Sequence, residues 1–393
     1  MAVSHPAIHE IIQKHAGQLK ELSLKIHENP ELGLKEEKAC AWQVELLKEW
    51  GFKVDIPFAG YDTAYCAVRG EGKPVFCFMA EYDALPEIGH ACGHNLICSA
   101  ALGAGVSLAE ALEKEGIKGT VIVMGTPAEE TNGGKLGIIK NDGLKNVDAV
   151  MMAHPSRRTI PDNGCTAIKA FSISYEGKAA HAAGAPEKGV NALDAVMLLF
   201  QGVNAWRQHL VETCRVHGIV KEGGAAANII PEKASCVFCL RALEDDVLEG
   251  MVRRFREIAE GAALMTGARL TMPPDKEGYK ARKPNEQLNS AYIEAAEAVG
   301  LEPEIPEKSG RGSSDFGNVS QEVPGAHVYF GISKDSPAAH SVEFAEAAGS
   351  EYGLDQMIRA AEALALSGYK YFTISSFRES VHDEFKKMKE KLS

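Results

Sequence analysis

The chain has 393 residues, 45% of them hydrophobic, 24% charged and 38 of them glycine, the composition of an α/β protein; it exceeds the roughly 250 residues at which one hydrophobic core stops growing, so two domains are expected. The formal net charge of -12, without any long basic run, disfavours a nucleic-acid backbone or an anionic membrane surface and leaves a small molecule as the expected partner. Residues 1–10 have no basic and apolar segments of the secretory kind, and nine cysteines without framework spacing suit a reducing compartment, so a cytoplasmic protein with free thiols is expected.

In chain order, helical spacing covers 8–28 and 36–50, followed by an apolar strand at 75–80 and a helix of small residues after Asn95. The uncharged stretch 94–109 reads as a buried helix, too short and too polar to span a bilayer. Short apolar strands at 120–125 and 147–153 complete a pattern that argues for a sheet covered by helices. From about 167 to 280 the order changes to strand (170–175), helix (191–210), strands (214–220 and 233–240), helix (246–266) and strand (269–272). That β-α-β-β-α-β order is ferredoxin-like and self-contained. A strand at 326–330 and a helix at 356–371 then resume the first style, so a smaller domain, 167–280, is expected inside a larger one made of 1–166 and 281–393.

The segments Met79-Ala-Glu-Tyr-Asp-Ala-Leu-Pro86 and His90-Ala-Cys-Gly-His94 follow the 75–80 strand. Cys92 and His94 are two apart, so in an extended stretch both side chains face one way and can reach one metal ion. Alone, that spacing equally describes a buried cysteine beside a helix-capping histidine. Three further groups stand past the carboxyl ends of expected strands, the edge at which open α/β sheets bind ligands: Glu129-Glu130, His154, and His340 in the loop after 326–331. Adjacent carboxylates there repel each other unless a cation or solvent compensates. One thiolate, three imidazoles and one carboxylate, with a second carboxylate and Asp83 in reserve, suit Zn²⁺ and also accommodate Mn²⁺ or Co²⁺. Five protein ligands exceed the three that one catalytic metal needs, so two divalent metal ions sharing a bridging group fit better.

The segments His27-Glu-Asn-Pro-Glu-Leu32, Asp83-Ala-Leu-Pro86, His90-Ala-Cys-Gly-His94, Pro127-Ala-Glu-Glu130, His154-Pro155, Gly177-Lys-Ala-Ala-His181, Asn228-Ile-Ile-Pro231, Ser314-Asp-Phe-Gly317 and His340 run in one order over nearly the whole length. Together they resemble the M20 metallopeptidases, in the amidohydrolase branch (subfamily D). The contexts around Glu81 and around 312–318 look most like the sub-branch containing p-aminobenzoyl-glutamate hydrolase and Xaa-Arg dipeptidases. The resemblance implies an α/β, mixed-sheet di-metal catalytic domain of the phosphorylase/hydrolase type with an inserted ferredoxin-like α+β lid and dimerisation domain. It implies Cys92, His94, Glu130, His154 and His340 as metal ligands, Glu129 as general base and Asp83 as the group that orients a ligand. It further implies a homodimer in which His181 reaches the partner subunit's site and stabilises an oxyanion, while Asn228 and Arg241 hold a substrate carboxylate. The substrate would be a dipeptide or N-acyl amino acid. Two positions depart from the pattern: Cys92 stands where related branches have a bridging Asp, and Asn95 where most members of this branch have Asp.

Two other readings compete. A thiol hydrolase with Cys92 as nucleophile and His90 or His94 as base leaves Glu129-Glu130, His154 and His340 without work. A non-catalytic binding relative would be expected to have lost at least one ligand. Cys236-Val-Phe-Cys239 lies in an expected strand where residues three apart face opposite sides, so it is read as structural. Gly103-Ala-Gly105 falls inside a helix rather than in a nucleotide-binding turn, and Asn318-Val-Ser320 is a glycosylation acceptor only in a secreted chain.

Overall fold

The computed structural model describes residues 5–273, 277–306, 312–335 and 337–392; the first four residues of the N-terminal reading lie outside them. The chain divides into two compact units, the second formed by 165–273, 277–282 and 312–313 and the first by the other described residues.

In the first unit the chain runs through α1 (Pro6–His27), α2 (Glu37–Glu49), β1 (Lys53–Asp55), β2 (Tyr65–Glu71), β3 (Val75–Ala80), α3 (His94–Lys114), β4 (Gly119–Gly125), α4 (Gly134–Lys140) and β5 (Ala149–Ser156). The second unit contributes β6 (Ala167–Glu176), α5 (Ala192–Arg207), β7 (Arg215–Glu222), β8 (Lys233–Ala242), α6 (Asp245–Thr266) and β9 (Arg269–Thr271). The first unit resumes with α7 (Glu286–Ala298), α8 (Phe316–Ser320), β10 (Gly325–Gly331), α9 (Val342–Ala348), α10 (Glu351–Thr373) and α11 (Ser375–Leu392).

The sheet of the first unit has the order β1-β2-β4-β3-β5-β10. β3 pairs in parallel with β4 and β5, β5 pairs in parallel with β10, and β2 is antiparallel to β1 and β4. The expected mixed-sheet α/β class is therefore found. Because strand side chains alternate, Phe76 and Phe78 face a large core with α1, α3 and α10, while Val75, Cys77 and Met79 face a second core with Ile138 of α4 and Phe316 and Val319 of α8. Successive strands diverge to either side of β3, which is the switch-point geometry that opens a crevice at the carboxyl ends of β3, β4 and β5.

The small-residue helix is longer than the sequence reading allowed. α3 has 21 residues, and its most apolar window, of mean hydropathy 1.4, is long and apolar enough to cross a membrane, but 94% of that window is buried within the protein. Gly103 and Gly105 permit the close approach: a Cβ on Gly105 would overlap Val123 Cγ2 of β4, and one on Gly103 would stand 2.9 Å from Leu19 Cδ1 of α1.

The second unit follows β6-α5-β7-β8-α6-β9, with an antiparallel sheet in the order β7-β8-β6-β9, the ferredoxin-like arrangement. Ala234, Cys236, Phe238 and Leu240 of β8 pack in one core with α5 and α6. Cys239 lies on the opposite face and is only partly buried, and all nine cysteines are free. The strands β1 and β2 and the helices α4, α7, α8, α9 and α11 were not anticipated. β1 and α8 are only 3 and 5 residues long, and α11 is strongly charged and buries only Phe377 and Val381.

Replacing Gly105 by Ala is expected to destabilise the chain. Overpacking against Val123 costs ~1–3 kcal/mol, which outweighs the gain in helix propensity of about 1 kcal/mol. Chemical denaturation measures this, and a variant at least as stable as the parent would contradict the close-packing assignment.

Candidate metal centre

The crevice is lined by segments that leave the strands at one edge. Glu81 and Asp83 follow β3 directly, Glu129 and Glu130 follow β4 after a short turn, and His340 lies beyond β10. His154 is an exception to the sequence reading: it is inside β5, because parallel pairing with β10 carries that strand on to Ser156. Cys92 and His94 are also placed differently from expectation. They do not share an extended stretch; Gly93 between them is left-handed, with φ 72, and starts α3, so His94 is the first residue of the helix. A Cβ at Gly93 would meet Pro155 Cγ at 2.5 Å, so only glycine lets this turn approach the strand that carries His154.

The seven first-unit residues expected from the sequence converge nonetheless. Ligand atoms of Cys92, His94 and His154 lie within 4.8 Å of one another, as do those of Cys92, Glu130 and His340, and those of His94, Glu129 and Glu130. Hydrogen bonds define the imidazole roles. His94 Nδ1 is 3.1 Å from Asp83 Oδ1 and donates to it, which leaves Nε2 buried and without a hydrogen-bond partner. His154 Nδ1 donates to the Pro155 carbonyl at 2.7 Å, turning Nε2 toward Cys92 Sγ at 3.5 Å. Asp83 also accepts from the Glu130 amide at 2.9 Å, so one carboxylate holds both a histidine and the turn after β4. Glu130 Oε1 is a second buried atom without a hydrogen-bond partner, 3.5 Å from His340 Nε2. His340 has φ 62, and its amide bonds to the Ala91 carbonyl at 3.0 Å. Two buried polar atoms without hydrogen-bond partners, among soft and hard ligand groups at this spacing, fit a metal centre.

Charge around the cluster is strongly perturbed. Burial, then Glu81, Asp315 and Glu130, holds the Glu129 carboxyl well above its usual range. Burial acts the same way on Glu130, but pairing with the His340 imidazole, then the charge on His94, outweighs it and brings that carboxyl down to about 2. Burial lowers His154 to about 4 and His90 to about 3. Burial likewise pushes the Cys92 thiol up, the reverse of what an activated thiol nucleophile needs; a nearby cation would favour its thiolate.

Sequence reasoning missed Lys135. This lysine of α4 is fully buried, and its Nζ lies 2.5 Å from Glu81 Oε1 and 2.7 Å from Asp315 Oδ1. Carboxylate oxygens of Glu81, Asp315 and Glu129 lie within 4.8 Å of one another, so one ammonium faces a cluster of three acids. The signal available was the requirement that buried carboxylates find a cation, which the sequence reading assigned to metal or solvent. Glu36 was also missed; it is buried beneath the same turn, and desolvation pushes its carboxyl up to about 7.

The remaining predicted residues belong to the second unit. His181 is exposed, and its Nδ1 accepts from the amides of Ala183 and Gly184 at 3.2 and 3.0 Å, so the ring proton sits on Nε2 as an available donor. The Ala182 amide bonds to the Asn228 carbonyl at 3.0 Å, which brings that exposed asparagine beside His181. Arg241, on β8, donates to Ser313 Oγ at 2.9 Å.

A family model described as Peptidase family M20/M25/M40 matches residues 77–366. A Xaa-Arg dipeptidase of Mus musculus is 37% identical over 398 residues, covering 96% of this chain and 91% of that protein. The chain belongs to the M20/M25/M40 peptidase family. Another relative, a p-aminobenzoyl-glutamate hydrolase chain of Escherichia coli (strain K12), is 33% identical over 312 residues, 75% of this chain and 65% of that protein. Among solved structures, a Bacillus subtilis protein described as a dinuclear metal binding peptidase from the M20 family aligns with a TM-score of 0.70 at 22% identity, covering 91% of this chain and 99% of that one. In this M20 chain the departure at Asn95 has a local reason. Its Nδ2 donates to Ser23 Oγ at 2.9 Å and to the Ala348 carbonyl at 3.0 Å, and an ionised Asp has no proton to give that buried carbonyl.

Removing the buried ammonium with Lys135→Met is expected to cost about 3–5 kcal/mol, the range for stripping one partner from a buried ion pair. Denaturant titration reads the loss; a change under about 1 kcal/mol would show that the acids do not depend on it.

Proposed function

We propose that this chain is a two-metal amidohydrolase that cleaves the amide bond of a dipeptide or N-acyl amino acid. The observation that carries the reading is the convergence of Cys92, His94, Glu130, His154 and His340, with His94 Nε2 and Glu130 Oε1 buried between them without hydrogen-bond partners. Those five residues would hold two divalent cations. When bound, the cations would supply Lewis acidity toward the scissile carbonyl and lower the pKa of water at the site. The chain's own residues do the rest. Asp83 keeps His94 in the tautomer that presents Nε2. Glu129, beside the ligands, accepts the proton that attacking water loses and passes it to the leaving nitrogen.

Finer assignments belong to the same proposal. One thiolate and three imidazoles favour Zn²⁺, with Mn²⁺ or Co²⁺ as alternatives. His181, with its proton on Nε2, is the donor for an oxyanion in a partner subunit's site, and Asn228 and Arg241 take the substrate carboxylate. A homodimer through the second unit is supported by β7, an edge strand with Ile219 60% and Val220 45% exposed. Nine free thiols suit a cytoplasmic location.

The test combines metal analysis with kinetics on a panel of dipeptides and N-acyl amino acids. Glu129→Gln should retain its metal while losing ~10²–10⁴-fold in turnover, the contribution of a positioned base. Chelation should abolish activity, and Zn²⁺ or Mn²⁺ should restore it. Protein that binds no ion, or full hydrolysis by Cys92→Ala or His154→Ala, would refute the metal reading; undiminished turnover in Glu129→Gln would remove that residue from the role.

A further inference from the structure

The turn that carries Glu129 and Glu130 is gripped by a carboxylate that the proposed reaction does not use. Glu36 stands at the N-cap of α2, yet its side chain makes no capping hydrogen bond. Glu31 does that work instead, accepting from the Lys38 amide at 3.1 Å and the Ala39 amide at 2.9 Å. Relieved of capping, the Glu36 carboxylate turns inward. Its Oε1 accepts from the Ala128 amide at 2.8 Å and its Oε2 from the Thr63 hydroxyl at 3.0 Å.

Ala128 is the residue immediately before Glu129, and it has φ 59, a left-handed conformation that a Cβ disfavours. Both sides of this residue are tied down. Its amide is held by Glu36, and its carbonyl accepts from the amides of Asn132 and Gly133 at 3.1 and 2.8 Å. The loop before α2 closes over it so tightly that a Cβ on Gly33 would stand 2.9 Å from Ala128 Cα. Glu36 itself is fully buried, faces only neutral hydrogen-bond donors, and has the Asp83 charge acting against its ionisation. A desolvated acid that stabilises a disfavoured backbone beside a base serves geometry more than stability.

We infer that Glu36 is a positioning residue for Glu129: its grip on the Ala128 amide fixes the left-handed turn from which the base is aimed. The inference rests on the reading of Glu129 as the base. Small displacements of a catalytic group are costly, since a misplacement of about 1 Å can cost ~10²-fold in rate.

The experiment uses the full chain, loaded with Zn²⁺ or Mn²⁺, and compares Glu36→Ala, Glu36→Gln and Glu36→Met, each with and without Ala128→Gly. Glu36→Ala should lower kcat by at least about tenfold while KM stays within about twofold and bound metal per chain is unchanged. Glu36→Gln keeps an oxygen for the Ala128 amide and should return kcat to within about threefold of the parent. Ala128→Gly, which removes the Cβ penalty of the turn, should recover part of the kcat lost in Glu36→Ala. Glu36→Met fills a similar volume without an acceptor and replaces the alanine variant if that chain does not fold; it should show the same loss. Parent-like kcat in a folded Glu36→Ala or Glu36→Met, a loss confined to metal content or KM, no recovery on Ala128→Gly, or a glutamine variant as impaired as the alanine one would each overturn the inference. Glu129→Gln measured alongside separates the two claims. If it retains turnover, the reading of the base has failed; if it is impaired and the Glu36 variants are not, only the positioning role has failed.

Discussion

Compensation of buried negative charge at the carboxyl edge of the first-unit sheet is the constraint on which the site depends. Glu36, Glu81, Asp83 and Asp315 are each at most 1% exposed, and Glu129 stands with Glu81 and Asp315. Ionised carboxylates persist in such surroundings only where a cation or well-placed donors face them. Each acid meets that demand differently. Glu81 and Asp315 share the Lys135 ammonium. Asp83 is buried, but the His94 hydrogen bond and charge and the Glu130 amide hold it below its usual range. Glu36 has neutral donors only and rises to about 7. The surplus of acids over resident cations makes this edge an attractor for added positive charge, and His94 Nε2 and Glu130 Oε1, buried without hydrogen-bond partners, offer such a cation its contacts.

Backbone conformation does the aiming. Gly93, Ala128 and His340 are all left-handed, and each adjoins or carries a side chain of the cluster. Glycine meets the requirement at position 93 without steric cost, whereas Ala128 and His340 are held there by hydrogen bonds from elsewhere in the unit. The stiffness behind these turns comes from the sheet, whose two faces are buried in separate cores, and from α3, whose glycines let it lie close to β4 and α1. A rigid platform carrying a few strained turns is the arrangement that holds a catalytic constellation to narrow tolerances.

The motif His27-Glu-Asn-Pro-Glu-Leu32 illustrates how a segment outside the cluster can matter to it. None of its residues is among the proposed metal ligands. Glu31 caps α2 and its carbonyl accepts from the Ala84 amide at 2.8 Å, so this loop ties α2 to the segment that carries Asp83. By capping α2 it also releases Glu36 for the turn after β4.

Much of the organisation was written in local pattern. Apolar runs of strand length, the β-α-β-β-α-β order of the second unit and the polar groups just beyond strand ends are properties of neighbouring residues, which is why the sheet class and the seven convergent first-unit residues could be named from sequence. What required tertiary structure depended on partners far along the chain. Lys135 has the local character of a surface helix lysine, and its burial is decided by Glu81 and Asp315, 54 and 180 residues away. Glu36 reads as an ordinary helix start, and its inward turn is set by Thr63 and by Ala128, 92 residues on. Cys92 and His94 fit an extended strand by spacing, but the contact of Gly93 with Pro155 selects a left-handed turn. Sequence specifies what a residue can do through its neighbours' periodicity; which buried charge it must answer, and which backbone strain it must hold, exists only once distant segments share one interior.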